Sequence, residues 1–448
     1  MARRDRSGSR SSLNALSDPS VTSEFEGRQV DPSHTQPEYR ILKAMAKLSI
    51  RDLDLANKRV LIRVDFNVPL SKDGQIADDT RIRETIPTIE FALRRKARVI
   101  LAAHLGRPKG KHVDSLSLRP VVDRLRLLLD HVLDEDENVA FAPDCVGPIA
   151  LELADNLEPG QTLLLENLRF HAEEEANDPK FSRQLAQLCD IYVNDAFGAA
   201  HRAHASTEGI THFVAQSAAG LLMDKELTYL SKATTEPNRP FIAIIGGAKV
   251  SDKIDAINAL LDRVDALLIG GAMAYTFLNA QGQTTGKSLL EADKIEVARA
   301  ALDKAKARGV RFLLPVDHRL ANKFAADAKT QLFSGSEPFP ADLMALDIGP
   351  ETINLFSAEI AEAATIVWNG PMGVAELAPF AKGTNAIARA LAKNEDAISI
   401  VGGGDSVAAI RNSGVADKIT HISTGGGASL EFLEGKTLPG VAALSDKA

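Results

Sequence analysis

From Arg59 onward, apolar runs of three to five residues alternate with longer stretches whose apolar positions recur at helical spacing. The runs are Val60–Arg63, Arg98–Ala102, Thr162–Leu165, Ile191–Val193, Phe241–Ile245, Ala266–Ile269, Arg311–Leu314, Thr365–Val367, Ala397–Val401 and His421–Ser423. Asp252–Arg263 and Glu291–Arg308 are examples of the helical stretches between them. Such alternation predicts an α/β fold with parallel sheets covered by helices on both faces. Ten strands exceed one comfortable domain, so two doubly wound sheets are expected. The break falls between Ser217 and Arg239: Ala218–Ala233 reads as one helix, and Glu236-Pro237-Asn238-Arg239-Pro240 stops it.

Residues 1–44 break this pattern. They open on Arg-Arg-Asp-Arg, continue through serine- and proline-containing stretches, and show no apolar periodicity. They are expected to be disordered, with Met45 as the first residue of the folded part. Composition narrows the class of protein. The 448 residues are 45% hydrophobic and 25% charged, enough for a large core. No apolar run approaches the roughly 20 residues that span a bilayer. A net charge of −8 argues against general nucleic-acid binding while leaving room for a local basic pocket. Two cysteines, Cys145 and Cys189, are too few for a disulfide framework and fit a reducing cytoplasm.

Ligands of open α/β sheets bind beyond the carboxyl ends of the strands, so the residues that follow each strand carry the chemistry. In the first half these are basic and polar. They are Asp65-Phe66-Asn67, His104-Leu105-Gly106-Arg107, Glu166-Asn167-Leu168-Arg169, and Asn194-Asp195 leading to His201-Arg202-Ala203-His204. Three of these loops deliver an arginine to one side of one sheet, and converging guanidinium forks predict a small polyanionic ligand. In the second half the same positions are glycine-rich. They are Gly246-Gly247-Ala248-Lys249 with Lys253 beyond, Gly270-Gly271-Ala272, Trp368-Asn369-Gly370, Gly402-Gly403-Gly404-Asp405-Ser406 and Thr424-Gly425-Gly426-Gly427. Glycine lets backbone approach phosphate closely. Lys249 and Lys253, spaced i, i+4, are expected to share a helix face near its first turn, where free N–H groups attract anions. By position Asp405 is equally a helix cap or a magnesium ligand, and the lysine pair and the basic first half favour the metal.

Two familiar templates fail. No G-x-G-x-x-G occurs, so the fingerprint an oxidoreductase would need is absent. Gly282–Ser288 imitates a Walker A loop but places three residues between its glycines where four are required, and it reads as a surface loop. No paired catalytic carboxylates and no Ser-His-Asp set stand out, and the histidines 104, 201 and 204 read as anion donors.

The segments RVLIRVDFNVPL, HLGRPKG, LLENLRF, VNDAFGAAHRAHAS, GGAKVSDK, IGGAMAYTFL, WNGPMGVAE, GGGDS and STGGGASLEFLEGKTLPG, in that order, resemble the phosphoglycerate kinase family from about Ala46 to Val441. The resemblance implies two Rossmann-like domains joined by a hinge helix. Its division is residues 45–217 for phosphoglycerate, 218–236 for the interdomain helix, 237–430 for MgADP or MgATP, and 431–448 returning to the first domain. It implies that Asp65, Asn67, Arg81, His104, Arg107, Arg169 and Arg202 hold 3-phosphoglycerate, with Phe66, Leu105 and Gly106 in the same loops. It places Lys249, Lys253, Gly270, Gly271, Asn369, Gly403, Gly404, Asp405 and Ser406 on the nucleotide side, Glu376 on the ribose and Asp405 on Mg²⁺. Arg81 and Lys253 would be catalytic. The implied reaction is reversible transfer from 1,3-bisphosphoglycerate to ADP by a cytoplasmic monomer that binds neither nucleic acid nor membrane. Ala375 and Ser406 depart mildly from the family pattern, which usually has a bulky aromatic and a threonine there. A nucleotide-binding protein that has lost catalysis would be expected to lack Lys253, Asp405 or one of the arginines, and all are present.

Overall fold

The computed structural model describes residues 47–132, 139–335 and 338–447. The expectations for residues 1–44 and Met45 lie outside the described residues. The first unit comprises β1 (Arg59–Arg63), α1 (Thr80–Leu93), β2 (Arg98–Ala102), α2 (Arg119–Leu129), β3 (Val139–Phe141), α3 (Pro148–Asp155), β4 (Thr162–Leu164), α4 (Ala172–Glu175), α5 (Pro179–Ala186), β5 (Ile191–Asn194) and β6 (Ser217–Ala219). Then comes α6 (Leu221–Thr235). The second unit comprises β7 (Phe241–Ile245), α7 (Ile254–Leu260), β8 (Ala266–Ile269), α8 (Met273–Ala280), α9 (Ile295–Arg308), β9 (Arg311–Leu313), β10 (Asp317–Ala321), β11 (Thr330–Ser334) and β12 (Met344–Ile348). It continues through α10 (Pro350–Glu362), β13 (Thr365–Asn369), α11 (Lys382–Lys393), β14 (Ile398–Gly402), α12 (Gly404–Asn412), β15 (His421–Ile422), α13 (Gly426–Leu433) and α14 (Pro439–Ala442).

Two six-stranded sheets run in the orders β3-β4-β2-β1-β5-β6 and β15-β14-β13-β7-β8-β9, with every pairing parallel. Alternate residues of β1 show why the strands are apolar throughout: Val60 and Ile62 enter the core on one face, and Leu61 enters the core on the other. The strand order reverses direction between β1 and β5 in the first sheet and between β7 and β13 in the second. A crevice opens at such a switch point, beyond the carboxyl ends of the flanking strands.

The expectation of parallel sheets alone needs correcting. β10, β11 and β12 form a separate antiparallel sheet in the order β11-β10-β12. Asp317–Ala321 reads Asp-His-Arg-Leu-Ala and β11 is largely exposed, so neither carries the apolar run of a buried strand. The helix expected from Ala218 also starts later. Residues 217–219 pair with β5 as β6, Gly220 is extended, and the buried Asp195 carboxylate accepts Leu222 N–H at 2.9 Å and Met223 N–H at 3.1 Å, fixing the first turn of α6.

Several contacts join the halves among the described residues. Glu226 on α6 is fully buried. It pairs with His421 Nε2 at 2.7 Å through one oxygen, and through the other accepts the Thr424 N–H at 2.7 Å and hydroxyl at 2.8 Å. Arg411, at the end of α12, reaches Asp78 before α1 at 3.0 Å. The final residues lie against the first sheet: Asn194 Nδ2 donates to Gly440 O at 3.0 Å, and Lys47 Nζ donates to Leu444 O at 2.8 Å. Replacing Glu226 by alanine strands a buried imidazole and a backbone N–H. We expect Glu226→Ala to cost about 3 kcal/mol, measured as a lowered urea midpoint. A variant within about 0.5 kcal/mol of the parent would show that α6 is not held to the glycine loop in this way.

Candidate functional site

At the β1/β5 switch point a cleft of about 170 Å³ is lined by Asp65, Asn67, Arg81, His104, Arg107, Arg169, His201 and Arg202, together with Gly198 and Ala199. Thr424–Gly427, from the end of β15, also lines it. The lining therefore draws on both sheets. Phe66 and Leu105 do not line it, because their side chains are buried in the core beneath. The loops are fastened to one another before any ligand arrives. Arg81 NH1 meets Asp65 Oδ2 at 2.7 Å, Asn67 Oδ1 accepts Gly106 N–H at 2.9 Å, and Arg169 NH1 donates to Gly106 O at 3.1 Å. Asn167, fully buried, bonds the backbone of Leu105 in both directions at 3.2 and 2.8 Å and so ties the end of β2 to the end of β4.

Beneath this floor lies Arg63, which the sequence reading treated only as the end of a strand. It is fully buried. Its Nε donates to Ser206 Oγ at 2.8 Å and its NH2 to His104 Nδ1 at 2.9 Å, while NH1 bonds Val64 O. A guanidinium only donates, so His104 accepts at Nδ1 and carries its proton on Nε2. Burial, then Arg63, Arg169 and Arg81, push His104 well below its ordinary range, so it stays neutral and offers one N–H. His204 is held down to about 4 by burial and by Arg169 and Arg63. His201 is lowered by burial and then by Arg202. Burial, partly offset by Glu175, lowers Arg169 as well. Burial pushes the fully buried Glu174 up, opposed by Arg63 and by its bonds from Ser206. The cleft is thus short of negative charge. The one signal that could have flagged Arg63 is its charge at an inward position of an otherwise apolar run.

The β7/β13 switch point holds the second group. Lys253 Nζ donates to Asn369 Oδ1 at 2.6 Å and to Asn369 O at 3.1 Å. Asn369 Nδ2 reaches Gly426 O at 3.4 Å, and Gly426 lines the arginine cleft. A line of polar contacts therefore runs from the lysine to the rim of the arginine cleft. Close packing of glycine loops permits it: Gly370 has φ +97°, and a Cβ there would collide with Gly246 O and press on Lys253 Nζ. The expected i, i+4 lysine pair on one helix face is overturned. Residues 246–253 form an irregular loop after Gly247, α7 begins only at Ile254, and Lys253 is its N-cap residue. Lys249 is exposed, while Lys253 is drawn inward.

Asp405 stands in the first turn of α12, preceded by Gly403 at φ +89°. Among the described residues no hydrogen bond engages its carboxylate, so the reading of Asp405 as a helix cap lacks the bond that a cap makes. It lies close enough to Lys253 to support the ammonium. Ser406 is buried, and its Oγ accepts Gly370 N–H at 2.7 Å. Gly403 and Gly404 open the helix beside them, Gly271 is pressed against Gly247 O, and Gly270 abuts Met372. Glu376 is exposed in the turn after β13. The Gly282–Ser288 stretch is a loop, docked onto β12 through Ala345 N–H to Ser288 Oγ at 3.0 Å.

Comparison with known proteins places the chain in a family. The phosphoglycerate kinase family model matches residues 50–436. A phosphoglycerate kinase of Acidobacterium capsulatum is 73% identical over 404 residues, covering 90% of this chain and 100% of that one. One from Koribacter versatilis is 66% identical over 403 residues, with 90% and 100% covered. The solved phosphoglycerate kinase of Coxiella burnetii superposes with a TM-score of 0.79 at 42% identity over 89% of this chain and 98% of its own. That of Pyrococcus horikoshii gives 0.74 at 32% identity, also over 89% and 98%.

Burial lowers Lys253 from 10.5 to about 8, and Asp405 pulls it back up. The ammonium should therefore lose its proton near pH 8 in the free protein, and Asp405→Asn should move that midpoint to lower pH. An NMR titration of the labelled lysine reads both. A midpoint near 10.5, or one that Asp405→Asn leaves in place, would contradict the assignment.

Proposed function

The chain belongs to the phosphoglycerate kinase family, and we infer from its two switch-point clefts how it carries out that family's reaction. That reaction is the reversible transfer of a phosphoryl group from 1,3-bisphosphoglycerate to ADP, giving 3-phosphoglycerate and ATP. One observation carries the assignment of residues: the contacts from Lys253 through Asn369 to Gly426 bring an ammonium to the rim of a cleft lined by four arginines. The reading has two domains, 45–217 for phosphoglycerate and 237–430 for the nucleotide, with 218–236 as the hinge and 431–448 belonging to the first. Arg81, Arg107, Arg169 and Arg202 take the phosphate and carboxylate of phosphoglycerate, with Asn67 and the Nε2–H of His104 fixing its orientation. Asp65 aims Arg81. Lys249, Lys253, the glycines 270, 271, 403 and 404, and Asn369 and Ser406 form the nucleotide side, with Glu376 at its edge for the ribose.

Phosphoryl transfer needs in-line positioning and neutralisation of the equatorial oxygens more than covalent help. Both acceptors, the terminal phosphate of ADP and the carboxylate of 3-phosphoglycerate, are nucleophilic at neutral pH. No general base is required, and Asp65, the one carboxylate in the lining, is taken up by Arg81. In this reading Lys253 and Arg81 stabilise charge on the moving group. Closure of the two domains would bring the substrates into line and exclude water, limiting hydrolysis. Mg²⁺ fits Asp405, an exposed carboxylate that no hydrogen bond engages among the described residues, in the first turn of a helix. When bound there, the ion would supply positive charge to the nucleotide phosphates. No described helix is long and apolar enough to cross a membrane. We place the enzyme in the cytoplasm as a monomer acting on small molecules, with neither nucleic acid nor membrane as a partner.

A coupled assay of ATP formation tests the roles. Lys253→Ala should lower kcat by about 10²–10³ and leave nucleotide affinity nearly intact, because its contact is made chiefly in the transition state. Lys253→Arg should rescue part of the loss. Asp405→Asn should fold normally and need more Mg²⁺ for half-maximal rate. If Lys253→Ala keeps kcat and raises only the nucleotide KM, the lysine is a binding residue and the catalytic role is wrong.

A further inference from the structure

Two strands outward from the arginine cleft, the carboxyl ends of the neighbours β3 and β4 bring together a second set of side chains that the reaction does not use. The turn after β3 carries Asp144 and Cys145, and the turn after β4 ends on His171. One donor atom from each, a carboxylate oxygen, a thiol sulfur and an imidazole nitrogen, lies within 4.8 Å of the others. His171 Nε2 faces Asp144 Oδ1 at 2.7 Å. The thiol forms the floor, with Cys145 fully buried, while the side chains of His171 and Asp144 are 30% and 49% exposed. An ion can therefore arrive from solvent past the histidine and the aspartate and meet the sulfur behind them.

We propose that Asp144, Cys145 and His171 form a binding site for a thiophilic divalent cation of the zinc type, separate from the magnesium–nucleotide site. Sulfur, nitrogen and oxygen together are the donor set of zinc, which takes three protein ligands and leaves its fourth position to water. A hard cation such as Mg²⁺ prefers oxygen and is reluctant to shed its waters for a thiolate. Small movements within the two turns would bring the atoms to bonding distance, since Zn–S and Zn–N bonds are about 2.3 and 2.0 Å. The proton balance is simple. The thiol proton leaves to solvent as the sulfur–metal bond forms, and the Nε2 proton that faces Asp144 leaves to Nδ1 from the neutral ring or to solvent from the imidazolium. Binding therefore tightens as pH rises.

The position gives the site a consequence. His171 closes the turn Leu168–Phe170, donating its N–H to Leu168 O at 3.2 Å, and Arg169 in that turn lines the arginine cleft. An ion on His171 would fix the turn and with it the guanidinium. Resting on the phosphoglycerate assignment made above, its expected effect is a changed KM for phosphoglycerate with the nucleotide KM unmoved.

The test is a direct binding measurement, so its outcome does not depend on that assignment. The metal-stripped full chain is titrated with Cd²⁺, and the ultraviolet thiolate-to-cadmium charge-transfer band is followed. The proposal expects a band that saturates at one equivalent, is displaced by Zn²⁺ but not by Mg²⁺, persists in Cys189→Ala and is absent in Cys145→Ala. His171→Gln, at a partly exposed position where folding is not at stake, should weaken Cd²⁺ at least about tenfold, as losing even an outer-shell partner does. The absence of any band, a band that survives Cys145→Ala, or parental affinity in His171→Gln would each overturn the proposal.

Discussion

Positive charge gathered at the end of one sheet, with too little negative charge to balance it, is the constraint on which this molecule is built. Four arginines line the first cleft against one lining carboxylate, Asp65, and a fifth, Arg63, lies buried beneath them. In a partly dry cleft such charges repel strongly. Burial first, and the arginines after it, lower the proton affinity of His104, His201 and His204. A structure that keeps these groups together must hold them rigidly, and must gain when an anion enters.

The rigidity comes from topology and from buried hydrogen bonds. Parallel strands with both faces covered cannot slip, so their carboxyl ends deliver each side chain to a fixed place. Asn167 and Asn67 then cross-link the loops, and Arg63 sets the tautomer of His104 from below. The second sheet solves the complementary problem with backbone. Its glycines pack Gly246 against Gly370 and Gly426 against Gly403 so closely that Asn369 can link Lys253 to the rim of the cleft. Glu226 connects the two solutions, since one buried carboxylate on the linking helix holds both His421 and the Thr424 end of the glycine loop.

Much of this was legible in the chain. Phe241–Ile245, Ala266–Ile269 and Arg98–Ala102 are strands at the expected bounds because a doubly covered strand must be apolar throughout. The loops that follow them were read as carriers of chemistry because ligands of open α/β sheets bind beyond the carboxyl ends of the strands, and the structure gathers them at two switch points. The failures have physical reasons. β10 opens on three polar residues although it is largely buried, and β11 is largely exposed, so no apolar run betrayed them. Lys249 and Lys253 were read as one helix face because spacing alone cannot show that a glycine turn delays the helix to Ile254. Arg81 opens α1 rather than following a strand, so only family resemblance found it. Arg63 was missed because a buried arginine is the exception among strand residues.

The central claim is that the first cleft holds unsatisfied positive charge that phosphoglycerate relieves. His201 is the natural reporter. It lines the cleft, and burial, followed by Arg202 and Arg169, depresses its proton affinity. The decisive measurement is the NMR pH titration of the His201 imidazole, free and saturated with 3-phosphoglycerate. The account predicts a midpoint that rises on binding, because the bound anion offsets both arginines. A midpoint that stays put or falls would mean that the arginines are already balanced in the free protein, and the account would be wrong.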